Sequence, residues 1–214
     1  VISVVIAYRC RKCEKCLAQK RRQWTARAIA EVRQSTRTWF GTLTVRPVER
    51  FRAQVRADIA ARQRWAERLS ALSDKDRLKF ISRVLGPEVT RFMKRVRFES
   101  KASLRYLLVV EPHKDGFPHY HLLLHETGPV QVSKRVLERQ WGLGVSHWRL
   151  VDREDPRQAG YVCKYVNKSA EVRIRASRHY GQFRPEVLSE VAGHFAAGLP
   201  MQETNACQSK RNDK

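Results

Sequence analysis

Three stretches of this chain hold side chains able to bind a metal ion or attack an electrophile. They are His119-Tyr-His121 with Glu111 upstream, Tyr161-Val-Cys-Lys164-Tyr165-Val-Asn-Lys168, and Cys10-Arg-Lys-Cys13-Glu-Lys-Cys16. Two imidazoles and a carboxylate hold a divalent ion while leaving positions open for substrate oxygens. In the second stretch, spacings of three, four and seven put Tyr161, Lys164, Tyr165 and Lys168 on one face of a helix. A tyrosine oxygen there can act as a covalent nucleophile, and a neighbouring lysine can favour the phenolate or neutralise charge developing on a phosphate. The same pattern also describes an ordinary amphipathic helix with half-buried tyrosines and solvated lysines. The cluster of Cys10, Cys13 and Cys16 suits a structural zinc ion, whose fourth ligand would come from Cys163, Cys207 or a histidine, or else three reduced thiols.

The histidines need a strand to position them. Leu104 to Val110 and Leu122 to Leu124 are apolar runs, and the segment between, Pro112-His113-Lys114-Asp115-Gly116-Phe117-Pro118, is rich in turn residues. This pattern predicts an antiparallel hairpin over Leu104 to Glu126. With Glu111 opposite His119, a period of two puts His119 and His121 on one sheet face beside the carboxylate. His125 shares that face but lies about 13 Å along the strand from His121, too far to share an ion. His113, in the turn, reads as a solvated loop residue.

Around the hairpin, residues 1 to 9 predict a short strand. Leu17 to Gln34 predicts a basic amphipathic helix with an apolar stripe of Leu17, Trp24, Ala28, Ile29 and Val32. Thr38 to Val45 predicts a strand. Residues 48 to 98 predict two or three charged helices: Val48 to Leu72, Asp76 to Leu85, and Pro87 to Phe98 after the break at Gly86. Val132 to Trp141 predicts a helix and Val145 to Val151 a strand; Asp155-Pro156 opens a last helix running to about Lys168. The fold class is α+β, with a central antiparallel sheet in a βαββαβ-like order flanked by helices. One domain spans residues 1–170, with inserted helices at about 48–98, followed by a basic, partly disordered tail over 171–214.

Charge narrows the class of partner. The chain has 214 residues, 43 Lys and Arg against 21 Asp and Glu, and a formal net charge of +22, which points to a polyanion and above all to nucleic acid. Arg21 and Arg22 on the first helix, and Lys94, Arg95 and Arg97 before the hairpin, are the expected DNA-binding cations. No run approaches membrane-spanning length. Five cysteines, three of them packed into seven residues, do not read as a secreted disulfide framework and fit a reducing cytoplasm.

Order and spacing then carry a resemblance. The cysteine cluster followed by QKRRQW, then FGTLT (Phe40 to Thr44), RFMKRVRF, PHYHLLLH and YVCKYVNK, resembles the HUH superfamily of rolling-circle replication initiators. The likeness is greatest to the replication-associated (Rep) proteins of small single-stranded DNA phages, the microviruses, and it covers Cys10 to about Lys168. It implies an HUH-type endonuclease fold and metal-dependent nicking and joining of single-stranded DNA at a replication origin. His119 and His121 match the metal-binding histidines, for Mg²⁺ or Mn²⁺, and Glu111 falls where an acidic third ligand is often found. Tyr161 and Tyr165 match the paired nucleophiles, which leave a 5′-phosphotyrosine and a free 3′-OH primer. A host replication helicase or polymerase is the implied protein partner, and the cytoplasm of a bacterial host the implied location. The long charged segment from Val48 to Leu85 and the short tail depart from the pattern.

Two other functions compete. A histidine-triad nucleotide hydrolase would use a His-x-His-x-His run, but Leu123 occupies its third position. A non-catalytic, zinc-containing nucleic-acid-binding module would need the cysteine cluster and the basic helices alone.

Overall fold

The computed structural model describes residue 10 and residues 13–113, 115–155 and 173–182. The strand expected in residues 1 to 9 and the helix expected from Asp155 to Lys168 lie outside the described residues.

The first helix, α1 (Glu14–Gln34), contains neither Gly nor Pro and begins with an acidic residue and ends with a basic one, both favourable to the helix dipole. Strand β1 (Arg37–Leu43) follows, then α2 (Pro47–Trp65), which starts on proline, and a short 3-10 turn at Leu69–Ala71. Helix α3 (Asp74–Ser100) starts at Ser73, whose hydroxyl accepts from the Asp76 amide. The hairpin strands are β2 (Leu104–Pro112) and β3 (Pro118–Glu126), followed by α4 (Lys134–Gln140), β4 (Ser146–Val151) and β5 (Arg173–Ala176).

The strands form one five-stranded sheet in the order β4-β1-β3-β2-β5, with every pairing antiparallel. The hairpin has the expected register, with Glu111 opposite His119 and Pro112 opposite Pro118. Alternation along each strand then sorts the side chains into two layers. Phe40, Leu107, Val109, Leu123 and Val151 face α1, together with its Ala28 and Val32. Trp39, Leu43, Leu108, Val110, Tyr120, Leu122 and Leu124 face the other way, into a larger core closed by α2, α3 and α4. Gly41 is required in β1 because a Cβ there would lie 2.4 Å from the Trp148 ring.

Two expectations change. The sequence divides residues 76 to 98 at Gly86-Pro87, whereas α3 runs unbroken for 27 residues. Pro87 removes one hydrogen bond from the ladder, but the apolar stripe of Ile81, Leu85, Val89, Phe92 and Val96 continues through it, and its burial outweighs the local cost. The second change is β5, which the sequence leaves in the tail. Its four residues pair with the edge of β2, and Arg175 donates to the Gly86 carbonyl and the Thr90 hydroxyl of α3. The chain after it returns to the core: Tyr180 is buried, and Gly181, at φ 66°, packs so tightly on α1 that a Cβ would lie 2.3 Å from that of Arg27. Residues 173–182 thus belong to the sheet domain.

Candidate metal and nucleic-acid site

The hairpin tip is a stiff turn. The His113 amide donates to the Phe117 carbonyl and the Gly116 amide to the His113 carbonyl, both at 2.8 Å, with Gly116 in the left-handed region at φ 76°. Asp115 accepts from the Phe117 amide at 2.9 Å, and Arg50 of α2 grips the Asp115 carboxylate while lying over the Phe117 ring. The backbone bond from Phe117 is the main reason the Asp115 carboxyl is held below its usual range; Arg50 adds to it. Turn and helix together set where β3 begins.

Beyond the turn, Glu111, His119 and His121 project on the α1 side of the sheet. His121 Nε2 lies 3.2 Å from Glu111 Oε2, and both residues are buried. On its other nitrogen, His121 Nδ1 lies 3.4 Å from the Thr42 hydroxyl, and Phe40 stacks parallel to the ring at 6.2 Å. His119 stands beside it, with ring centroids 5.7 Å apart. Its Nε2 is shielded from solvent and has no hydrogen-bond partner among the described residues. Burial, and secondly the neighbouring His113, holds His119 below the ordinary histidine value of 6.5, so the ring is neutral near pH 7. A buried imidazole nitrogen without a partner, next to a second imidazole and a carboxylate, fits a divalent cation, because only a lone pair aimed at a ligand repays its desolvation.

Thr42 belongs to this site as the residue that orients His121. The sequence places it in FGTLT without a role. The signal was the strand register, which sets Thr42 opposite His121 and also opposite the exposed His147 of β4. His113 is exposed, as expected of the loop, with its ring 5.1 Å from that of His119.

Farther along the same face the chemistry ends. His125 is fully buried between the Thr38 hydroxyl, 2.9 Å from Nδ1, and the Tyr180 hydroxyl, 2.7 Å from Nε2. Burial, assisted by the Arg105 charge, pushes its pKa down to about 3.

The three thiols gather at the start of α1. The sulfur atoms of Cys10, Cys13 and Cys16 all lie within 4.8 Å of one another, a set that could hold a metal such as zinc. Of the expected DNA-binding cations, Arg21 and Arg22 are exposed on α1. Lys94 is exposed on α3, behind the sheet. Arg95 and Arg97 are engaged within the fold: Arg95 donates to the Gln140 side chain and carbonyl, tying α3 to α4, and Arg97 donates to the Leu104 carbonyl. Tyr161, Lys164, Tyr165 and Lys168 lie outside the described residues.

The profile of the family described as Replication-associated protein ORF2 matches residues 38–170, more than half of the chain. The chain belongs to that family. The match takes in β1, the hairpin, β4 and the stretch with the two tyrosines, and leaves out the cysteine cluster and β5. Membership places the protein among replication-associated proteins. No curated protein and no solved structure matches the chain. Among the described residues no helix is long and apolar enough to cross a membrane.

Proposed function

We propose that this protein initiates rolling-circle replication by nicking and rejoining single-stranded DNA at an origin, as an HUH-type endonuclease. The observation that carries the reading is the end of the hairpin, where Glu111 and His121 meet at 3.2 Å beside Nε2 of His119, which has no partner among the described residues. Glu111, His119 and His121 would hold a Mg²⁺ or Mn²⁺ ion, which when bound supplies a positive charge to polarise a phosphate oxygen. Thr42, through Nδ1 of His121, keeps that ring's Nε2 turned toward Glu111.

The nucleophile is the phenolic oxygen of Tyr161 or Tyr165. It forms a bond to the scissile phosphorus as the bond from phosphorus to the 3′ oxygen breaks. The products are a 5′-phosphotyrosine and a 3′ hydroxyl, which takes up a proton and serves as primer. Lys164 and Lys168 neutralise charge building on the phosphate. The second tyrosine, four residues away, attacks after one round, so that the released strand can be rejoined. Arg21 and Arg22 add backbone contacts, supported by the +22 charge of the chain. The motif set favours a microvirus-type phage source, with the host cytoplasm as the place of action and a host helicase or polymerase as partner. The nicking domain runs from the N-terminus through β5, with α2 and α3 as its insert.

The test is covalent capture. Incubation with Mn²⁺ and a single-stranded origin oligonucleotide should yield a protein-DNA adduct, mapped by mass spectrometry to a peptide containing Tyr161 or Tyr165. Nicking by the Tyr161→Phe/Tyr165→Phe double variant at the wild-type rate would sink the tyrosine mechanism.

A further inference from the structure

The cysteine cluster lies outside the residues matched by the family and takes no part in the nicking reaction. We propose that Cys10, Cys13 and Cys16 are thiolate ligands of a structural zinc ion that fixes the entry of the chain into α1.

The geometry is that of a metal knot. Cys10 Sγ and Cys16 Sγ are 3.8 Å apart. A tetrahedron with Zn–S bonds of about 2.3 Å has edges of about 3.8 Å. A disulfide would bring two sulfurs to about 2.05 Å, and none of the three cysteines is in one. The Cys13 amide donates to Cys10 Sγ at 3.2 Å, a bond that favours sulfur as an anion. Cys13 is the N-cap of α1 and Cys16 lies in its first turn, where the positive end of the helix dipole stabilises thiolates. Arg11, Lys12 and Lys15 in the same stretch offset the negative charge of three thiolates on one Zn²⁺.

Among the described residues no His, Asp, Glu or further Cys joins the three sulfurs. The fourth position is filled by water or by a residue outside the described set, for which Cys163, His194 and Cys207 have the right chemistry. The site also answers a mechanical need. At its far end α1 is pinned by Glu31, which accepts from Arg105 and from the Gly181 amide. Its first two turns, by contrast, bury no residue fully, so a metal is what anchors them.

The experiment separates this ion from the one proposed at the histidines. Protein carrying His119→Ala/His121→Ala, purified with zinc and desalted, should retain one zinc per chain. X-ray absorption at the zinc edge should show at least three sulfur neighbours at about 2.3 Å. Cys10→Ser/Cys13→Ser/Cys16→Ser should retain none. Because that variant could fail to fold, the wild-type chain supplies a second readout. Adding a chelator should speed alkylation of these three cysteines at least ~10-fold, mapped by mass spectrometry, as thiolates leave the metal. Absence of zinc, a shell of nitrogen and oxygen only, or alkylation rates indifferent to chelator would overturn the proposal. None of these readouts depends on nicking.

Discussion

His119 and His121 at one end of β3 and His125 at the other share a strand, a sheet face and a side chain, yet they stand in opposite electrostatic situations. His125 has a hydroxyl on each ring nitrogen and no exposed surface. Either tautomer is satisfied, so the ring is a packing element that happens to be polar. His119 keeps a shielded nitrogen without a partner among the described residues, and His121 is held by Thr42 with its other nitrogen beside a carboxylate. The contrast follows from what covers the face. The C-terminal half of α1 and the turn at Tyr180 close over His125, while the hairpin tip beyond Leu123 carries only Glu111, Thr42 and the loop around His113 among the described residues. A histidine becomes available for chemistry where the fold leaves its lone pair without a donor, not where the sequence spaces it well.

Substitution should divide the strand in two. His119→Ala or His121→Ala should lower nicking at least ~100-fold, by removing charge stabilisation worth several kcal/mol, while the unfolding midpoint barely moves. His125→Ala should do the reverse. It leaves a cavity and strips partners from Thr38 and Tyr180, and should cost about 2–4 kcal/mol in denaturant unfolding with nicking per folded molecule retained. If nicking by folded His125→Ala fell as far as in His119→Ala, the division would be wrong.

Acid should sharpen the same contrast. His125 is neutral in the fold, with a pKa of about 3 against an ordinary 6.5, so between those values the unfolded chain binds a proton that the native one refuses. Stability is therefore unaffected above about pH 6.5 and falls as the pH drops below it, by up to about 1.4 kcal/mol per pH unit. The groups facing His125 are Arg105 of β2, whose charge adds to the depression, the Thr38 and Tyr180 hydroxyls, and Glu31 of α1 through Arg105. Thermal melts of wild type and His125→Leu between pH 4 and 7 should converge as the pH falls. Parallel curves would assign the acid sensitivity to other groups.

Glu31→Gln tests the clamp that closes the His125 end. The carboxylate, almost fully buried, takes three hydrogen bonds from Arg105 and one from the Gly181 amide, so its loss should cost about 1–3 kcal/mol without changing the metal requirement of nicking. The smallest expected effect is at Thr42→Val, which removes only the hydroxyl beside His121 Nδ1. Metal affinity should fall about tenfold at nearly constant stability, read from the Mn²⁺ dependence of the nicking rate.

Much of this was legible without coordinates. The hairpin and its register follow from apolar runs broken by turn residues, and a period of two then brings Glu111 to the histidines. Other features were not legible, each for a definite reason. The sequence breaks α3 at Gly86-Pro87, but a continuous buried stripe overrode a local cost. Strand β5 is too short to show a pattern and exists because β2 offers it an edge and α3 a partner for Arg175. Arg95 and Arg97 resemble phosphate ligands in a list of charges, yet their guanidinium groups are held by carbonyls of α4 and β2.

Composition and local pattern were enough to specify the residues of the site, the strand that carries it, and the charge that selects a polyanionic partner, because these depend on near neighbours along the chain and on simple sums. It took the folded chain to settle which of three equivalent histidines keeps an unsatisfied nitrogen. That choice depends on which distant segments, α1 and the turn holding Tyr180, fold over one end of β3, and burial of this kind is a long-range property that no local spacing encodes.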